Sequence, residues 1–149
     1  MNHQNVKGVR RYRDDKERTF YDIIVIKWNE KYGIYEAAFR FGANSPFDDT
    51  GDERMCAGTV DGAKMRVLED TGLKAKDFDW HGYYLKPCPF CGSEELSART
   101  VILTNGVMLN LQCACGASMR VPEAEGEKKL FKNWNRRIRK GDDKNGHED

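Results

Sequence analysis

Two short stretches decide how this chain is organised: Leu85-Lys86-Pro87-Cys88-Pro89-Phe90-Cys91-Gly92-Ser93 and Gln112-Cys113-Ala114-Cys115-Gly116-Ala117. They hold four of the five cysteines. Paired cysteines at such close spacing, in a chain that opens with no apolar leader, favour a metal over disulfides. Two thiolates on one tight turn reach a single ion at about 2.3 Å, and a second turn completes a tetrahedron. A Gly follows each pair, where a knuckle needs positive φ. All-sulfur tetrahedral ligation selects Zn2+, with iron as the main competitor. The expected ligands are Cys88, Cys91, Cys113 and Cys115. A redox dithiol or a set of reduced structural cysteines is the competing reading. The second pair has one intervening residue where a standard knuckle has two. Either Cys113 reaches the metal from the end of its strand, or one ligand is weak. His81 is the nearest substitute, although its position far upstream favours a surface role. Cys56 has no partner and is expected to be a small buried or loop residue.

Working outward, Ser97–Thr104 and Val107–Gln112 are apolar runs separated by Asn105-Gly106, a pair suited to a type I′ hairpin turn. Ser118–Val121 supplies a third short strand. The plan is a zinc ribbon, with two knuckles at one end of a small antiparallel sheet. Pro122 to about Lys140 follows as a helix, with Pro122 in its first turn. Leu130, Phe131, Trp134 and Ile138 form one apolar stripe at helical spacing. Trp134 is expected to pack on the ribbon sheet near Leu109 and Leu111. Every charged side chain from Lys128 to Lys140 is a cation. That flank is either a solvated helix face or a surface for phosphate or an acidic partner. Residues 141–149 are rich in Gly and acid and are expected to be a disordered tail.

Upstream, residues 1–83 form a separate module of unknown role. Residues 1 to about 18 are polar and charged, an irregular arm leading into the first strand. Phe20–Trp28 and Ile34–Phe41 predict an antiparallel hairpin. Residues 42–54 have turn chemistry throughout. Thr59 is the expected N-cap of a helix through about Asp70, with Ala63, Val67 and Leu68 on one face and Gly72 as C-cap. A strand is expected near Tyr83-Tyr84-Leu85. The fold class is α+β: an N-terminal hairpin-plus-helix module, then a small zinc ribbon over 84–140 with a C-terminal helix.

The 149 residues carry 25 Lys and Arg against 24 Asp and Glu, a net charge of +1. Such balance argues against a strongly cationic nucleic-acid coat. With 33% charged residues and a mean hydropathy of −0.78, the aliphatic supply is thin and the cores need help beyond burial. The longest purely aliphatic run, Ile23-Ile24-Val25-Ile26, is far short of a membrane span. A cytoplasmic protein without membrane association is expected. No nucleophile–base pair or phosphate loop is recognisable, so neither an enzyme nor a small-molecule substrate is expected.

Lys86-Pro87-Cys88-Pro89-Phe90-Cys91-Gly92, Cys113-x-Cys115-Gly116-Ala117 and Trp134-Asn135-Arg136-Arg137, in that order over about residues 84–139, resemble the Lar family of restriction alleviation proteins. These are small zinc-ribbon proteins of bacteriophages and prophages. The resemblance implies a protein that counters or modulates a host type I restriction-modification enzyme by binding, with DNA as a further partner, in the bacterial host cytoplasm. The shortened second pair departs from the family pattern. The residues expected to carry the contact are Arg136, Arg137, Arg139 and Lys140. The alternative is a nucleic-acid-binding ribbon acting in phage transcription or replication.

Overall fold

A computed structural model describes residues 3–48 and 53–142, with side chains over 3–48 and 54–136. The chain divides into two compact units, Met1–Tyr84 and Leu85–Asp149.

The first unit is a five-stranded antiparallel sheet with one helix. Its strands are β1 (Asn5–Arg13), β2 (Thr19–Asn29), β3 (Ile34–Ala43), β4 (Glu53–Ala57) and β5 (Asp79–Tyr83), in the order β4-β3-β2-β1-β5. The expected hairpin is present as β2 and β3. Helix α1 (Val60–Thr71) starts at Thr59, whose side-chain oxygen accepts from the Gly62 N–H, and ends at Gly72 with φ 76°. Ala63 and Val67 are buried with Ile24, Ile26, Ala37, Phe39 and Phe78, and Leu68 packs at the margin.

Four expectations for this unit need correction. Residues 5–13 are not an irregular arm. They form β1, paired on one side with β2 and on the other with β5. Two of its cations are held by groups elsewhere in the chain, which made the stretch look like solvated arm. Lys7 is 1% exposed and donates to the Phe47 carbonyl oxygen at 3.4 Å. Arg10 pairs with the buried Asp22 at 2.9 Å. Asp22 also accepts from the Gly42 N–H, across the irregularity where β2 and β3 change register. The turn chemistry of residues 42–54 ends early, since β4 begins at Glu53. Cys56 is neither buried nor in a loop: it lies on β4 and is exposed. The strand expected near residues 83–85 lies slightly upstream, as β5.

The second unit contains a three-stranded antiparallel sheet of β6 (Leu96–Leu103), β7 (Gly106–Cys113) and β8 (Ser118–Pro122), with β7 central. The β6–β7 turn sits one residue earlier than the Asn-Gly pair suggests. Leu103 and Gly106 close the ladder and leave Thr104-Asn105 as the loop. A type I′ turn needs positive φ at both central residues. Among the described non-glycine residues only Glu17 has it, so Asn105 does not take that conformation. The C-terminal helix, α2 (Glu127–Asp142), also begins later than expected. Pro122 ends β8, Glu123–Glu125 make one 3-10 turn, and Gly126 at φ 86° separates that turn from the helix. Glu127 therefore stands alone as the acidic residue of the first turn. Gly141 and Asp142, expected in a tail, are helical; residues 143–149 lie outside the described residues. Among the described residues, no helix is long and apolar enough to cross a membrane.

Gly8 offers a test of β1. A Cβ there would stand 2.6 Å from the Trp80 ring on β5. The ring is fixed by its Nε1–H donating to the Ala75 carbonyl at 2.9 Å, and the Lys64 ammonium lies 4.2 Å from its centroid. Gly8→Ala should therefore cost about 1–3 kcal/mol, the range for overpacking, read from urea unfolding. An unchanged midpoint would show that β1 and β5 do not meet in this register.

Candidate metal centre

The ribbon brings its four cysteines together at one end of the sheet. Cys88 and Cys91 flank a tight turn ahead of β6. The Gly92 N–H donates to the Cys88 carbonyl at 2.9 Å, with Gly92 at φ 76°. The Cys88 N–H donates to the Ser93 carbonyl at 2.9 Å and closes the loop. Cys113 is the last residue of β7, and Cys115 lies in the following turn. Here the Cys113 N–H donates to the Ala117 carbonyl at 2.8 Å, with Gly116 at φ 108°. Both loops close by the same bond, from the first cysteine to the residue after the glycine. The second loop is one residue shorter and keeps that closure. Cys113 projects from a strand end, the first of the two routes left open by the short spacing.

All four sulfurs lie within 4.8 Å of one another. Cys88 and Cys115 sulfurs are 3.5 Å apart, and those of Cys91 and Cys113 are 3.4 Å apart. A disulfide needs about 2.05 Å, and all five cysteines are free. A tetrahedron of sulfurs around zinc, with bonds of about 2.3 Å, has edges of about 3.8 Å. The observed set fits that size closely, so these four residues could hold one metal ion. Cys88 and Cys113 are buried, while Cys91 and Cys115 face outward. His81 is exposed on β5 and is not part of the group.

The electrostatics of the cluster are those of groups that cannot all ionise side by side. Burial raises the Cys88 thiol, but the N–H groups of Cys91 and Phe90 and the neighbouring sulfurs outweigh it and bring it down to about 6. Burial pushes Cys113 up to about 12, with the adjacent sulfurs adding to the rise against the Cys115 N–H. For Cys115 the Ala117 N–H favours the thiolate, yet the Cys88 sulfur and partial burial raise it overall. At neutral pH the cluster thus prefers a Cys88 thiolate beside protonated Cys113 and Cys115. A divalent cation reverses that preference by displacing protons, because thiolates are the ligands.

Helix α2 is fixed to this unit by packing and by two hydrogen bonds at one residue. Leu130 and Trp134 are fully buried and Phe131 nearly so, and α2 packs against β7 and β8, where Leu109, Leu111 and Val121 are buried. The Trp134 indole N–H donates to the Lys86 carbonyl at 2.9 Å. The Asn135 side-chain oxygen accepts from the Lys86 N–H at 2.8 Å. Adjacent helical residues thus grip both polar groups of one peptide residue, two positions before Cys88. Sequence reasoning had singled out Trp134 for packing but gave Asn135 no role. The only signal was the Trp-Asn adjacency, and it named no partner.

Of the four cations expected to carry a contact, Arg136 is exposed. Arg137, Arg139 and Lys140 belong to the helical backbone of α2, but their side chains lie outside the described residues, as does that of Ile138.

Residues 84–138 match the family described as restriction alleviation protein Lar. The matched segment contains the four cysteines and the Trp134–Asn135 pair. It leaves the five-stranded unit outside the match. No curated protein and no solved structure matches the chain.

Two outcomes follow for the centre and its helix. Protein purified without chelator should contain one metal per chain by elemental analysis, and Cys56→Ser should leave that content unchanged. Trp134→Ala should cost about 3–5 kcal/mol. Trp134→Phe should cost less, since it keeps most of the packing while losing the bond to Lys86. Equal melting temperatures for wild type and Trp134→Ala would show that the indole does not hold the helix.

Proposed function

We propose that this is a zinc-binding protein of phage type that counters or modulates a host type I restriction-modification enzyme by binding to it. The observation that carries the reading is the coincidence of the four-sulfur cluster with the segment that matches the restriction alleviation family. Zn2+ is the ion proposed for Cys88, Cys91, Cys113 and Cys115, because four thiolates in a tetrahedral set suit it over harder cations. Bound there, it would supply a structural crosslink between the two knuckles. In a unit this small, metal binding and folding are one free energy.

The proposed contact is the cationic end of α2: Arg136, Arg137, Arg139 and Lys140. With Trp134 and Asn135 committed to Lys86, the buried side of the helix is spoken for, and the exposed Arg136 marks a side that is not. Cations at a helix C-terminus are also favoured by the dipole, so a cluster there forms at little cost. Arginine suits an acidic surface because its planar fork takes a carboxylate through two bonds.

Metal removal should show the coupling. With a strong chelator, amide protection across β6–β8 and α2 should fall, and added zinc should restore it. Persistence of that protection in metal-free protein would mean that the core alone holds the ribbon.

In vivo, expression of the protein should raise phage plaque efficiency on a type I restricting host. Arg137→Glu with Arg139→Glu should abolish the gain while metal content stays at one per chain. Equal plaque efficiency with and without the protein, across several type I systems, would remove the restriction reading and promote a nucleic-acid-binding role in phage transcription or replication.

A further inference from the structure

The side of the ribbon sheet away from Leu109, Leu111 and Val121 has its own chemistry. Cross-strand register sets Arg99, Asn110 and Arg120 in one row, with Asn110 on the central strand. The row nearer the knuckles is Ser97, Gln112 and Ser118. Side chains alternate along a strand, so both rows face the same way, opposite to the buried leucines. The three strands contain no Asp or Glu, and Arg99 and Arg120 are their sole charged residues. Both arginines are exposed, while Asn110 between them is 3% exposed.

The hydrogen bonds within this face have a direction. The Arg120 Nε–H donates to the Asn110 side-chain oxygen at 3.2 Å. The Asn110 amide nitrogen donates to the Gln112 side-chain oxygen at 3.2 Å. Each bond occupies a lone pair of an acceptor. The donors that remain to meet a ligand are the two terminal nitrogens of Arg120, the Gln112 amide and the Arg99 guanidinium, and the Ser97 and Ser118 hydroxyls can donate as well as accept. The bond at Nε also orients the Arg120 fork before any ligand arrives. Arg99 and Arg120 stand two strand spacings apart, about 10 Å, with no anion on the sheet to offset their repulsion. The face complements a ligand that is anionic, rich in acceptors and repeated along its length.

We infer that this face binds the phosphate backbone of duplex DNA, with Arg99 and Arg120 each taking a phosphate and Gln112 adding a donor. No aromatic side chain lies on the face, so it offers unstacked bases no platform of the kind that single-strand binding uses. Phosphate contacts position a duplex without reading its sequence. The inference rests on the ribbon sheet alone and stands whether or not a restriction enzyme is the protein's target.

The test uses the full chain with its metal and a short fluorescein-labelled duplex of arbitrary sequence. Anisotropy is followed from about 50 to 200 mM salt, where each neutralised phosphate contributes about 0.9 to the slope of log affinity against log salt. Arg99→Gln with Arg120→Gln should lower the slope by about two and weaken binding about tenfold at the low-salt end. Metal content and thermal unfolding check that this variant is folded. Arg99→Gln alone leaves the Arg120–Asn110–Gln112 chain intact and should lower the slope by about one. No duplex binding by the wild type, or a slope unchanged by these substitutions, would overturn the proposal. So would tighter binding to the single strand. A Glu-rich peptide that binds through Arg99 and Arg120 where the duplex does not would make the face a protein-docking surface, and the proposal would fail.

Discussion

Four sulfurs gathered within 4.8 Å impose the condition on which the ribbon rests. Left to themselves the sulfurs shift one another, with the Cys88 thiolate favoured and Cys113 and Cys115 held toward the thiol. A cation bound there would let all four serve at once and would join two loops that are otherwise held by two backbone hydrogen bonds each. The sheet then needs little apolar mass of its own: Leu96, Ala98, Leu109, Leu111 and Val121 make up its buried part, completed by Leu130, Phe131 and Trp134 from the helix. A chain poor in aliphatic residues can build a domain in this way because the crosslink offsets part of the conformational entropy that burial would otherwise have to cover.

What could be read in advance was what is local. Ligand spacing, the glycine after each pair and the apolar stripe of α2 are set by residues a few positions apart, and the structure follows them. Cysteine pairing distances and the burial of Leu130, Phe131 and Trp134 agree with that reading. The type I′ turn was also a local inference, yet it failed. The β6–β7 register closes at Leu103 and Gly106, so tertiary pairing overrode the preference of Asn105-Gly106.

The larger misreadings share one cause: a partner far away in sequence. Strand β1 looked like a charged arm because Lys7 and Arg10 carry no mark of what will hold them. Lys7 donates to the carbonyl of Phe47, and Arg10 pairs with the carboxylate of Asp22. Asn135 was passed over for the same reason, since its partner is a backbone N–H 49 residues earlier. The late start of α2 is a different case. Gly126 was visible in the sequence, but Pro122 and the flanking glutamates resemble a helix start just as well, and only the positive φ at Gly126 separates the two.

The grip of Trp134 and Asn135 on Lys86 has a consequence for how this unit tolerates change. It reads main chain, so the side chain of residue 86 takes no part in it, and a proline there would remove one of the two bonds. Pro87 helps, since a residue before proline is held in extended conformation, which restricts Lys86 before the helix arrives. The two bonds join the beginning of the ribbon to its last element across 48 and 49 positions. Sheet, knuckles and helix thereby form a ring closed by noncovalent bonds, with the incoming chain attached outside it. A ring of that kind can be carried behind different N-terminal modules without altering its own closure. A family match that begins at residue 84 and leaves the five-stranded unit behind is what such a transferable part would produce.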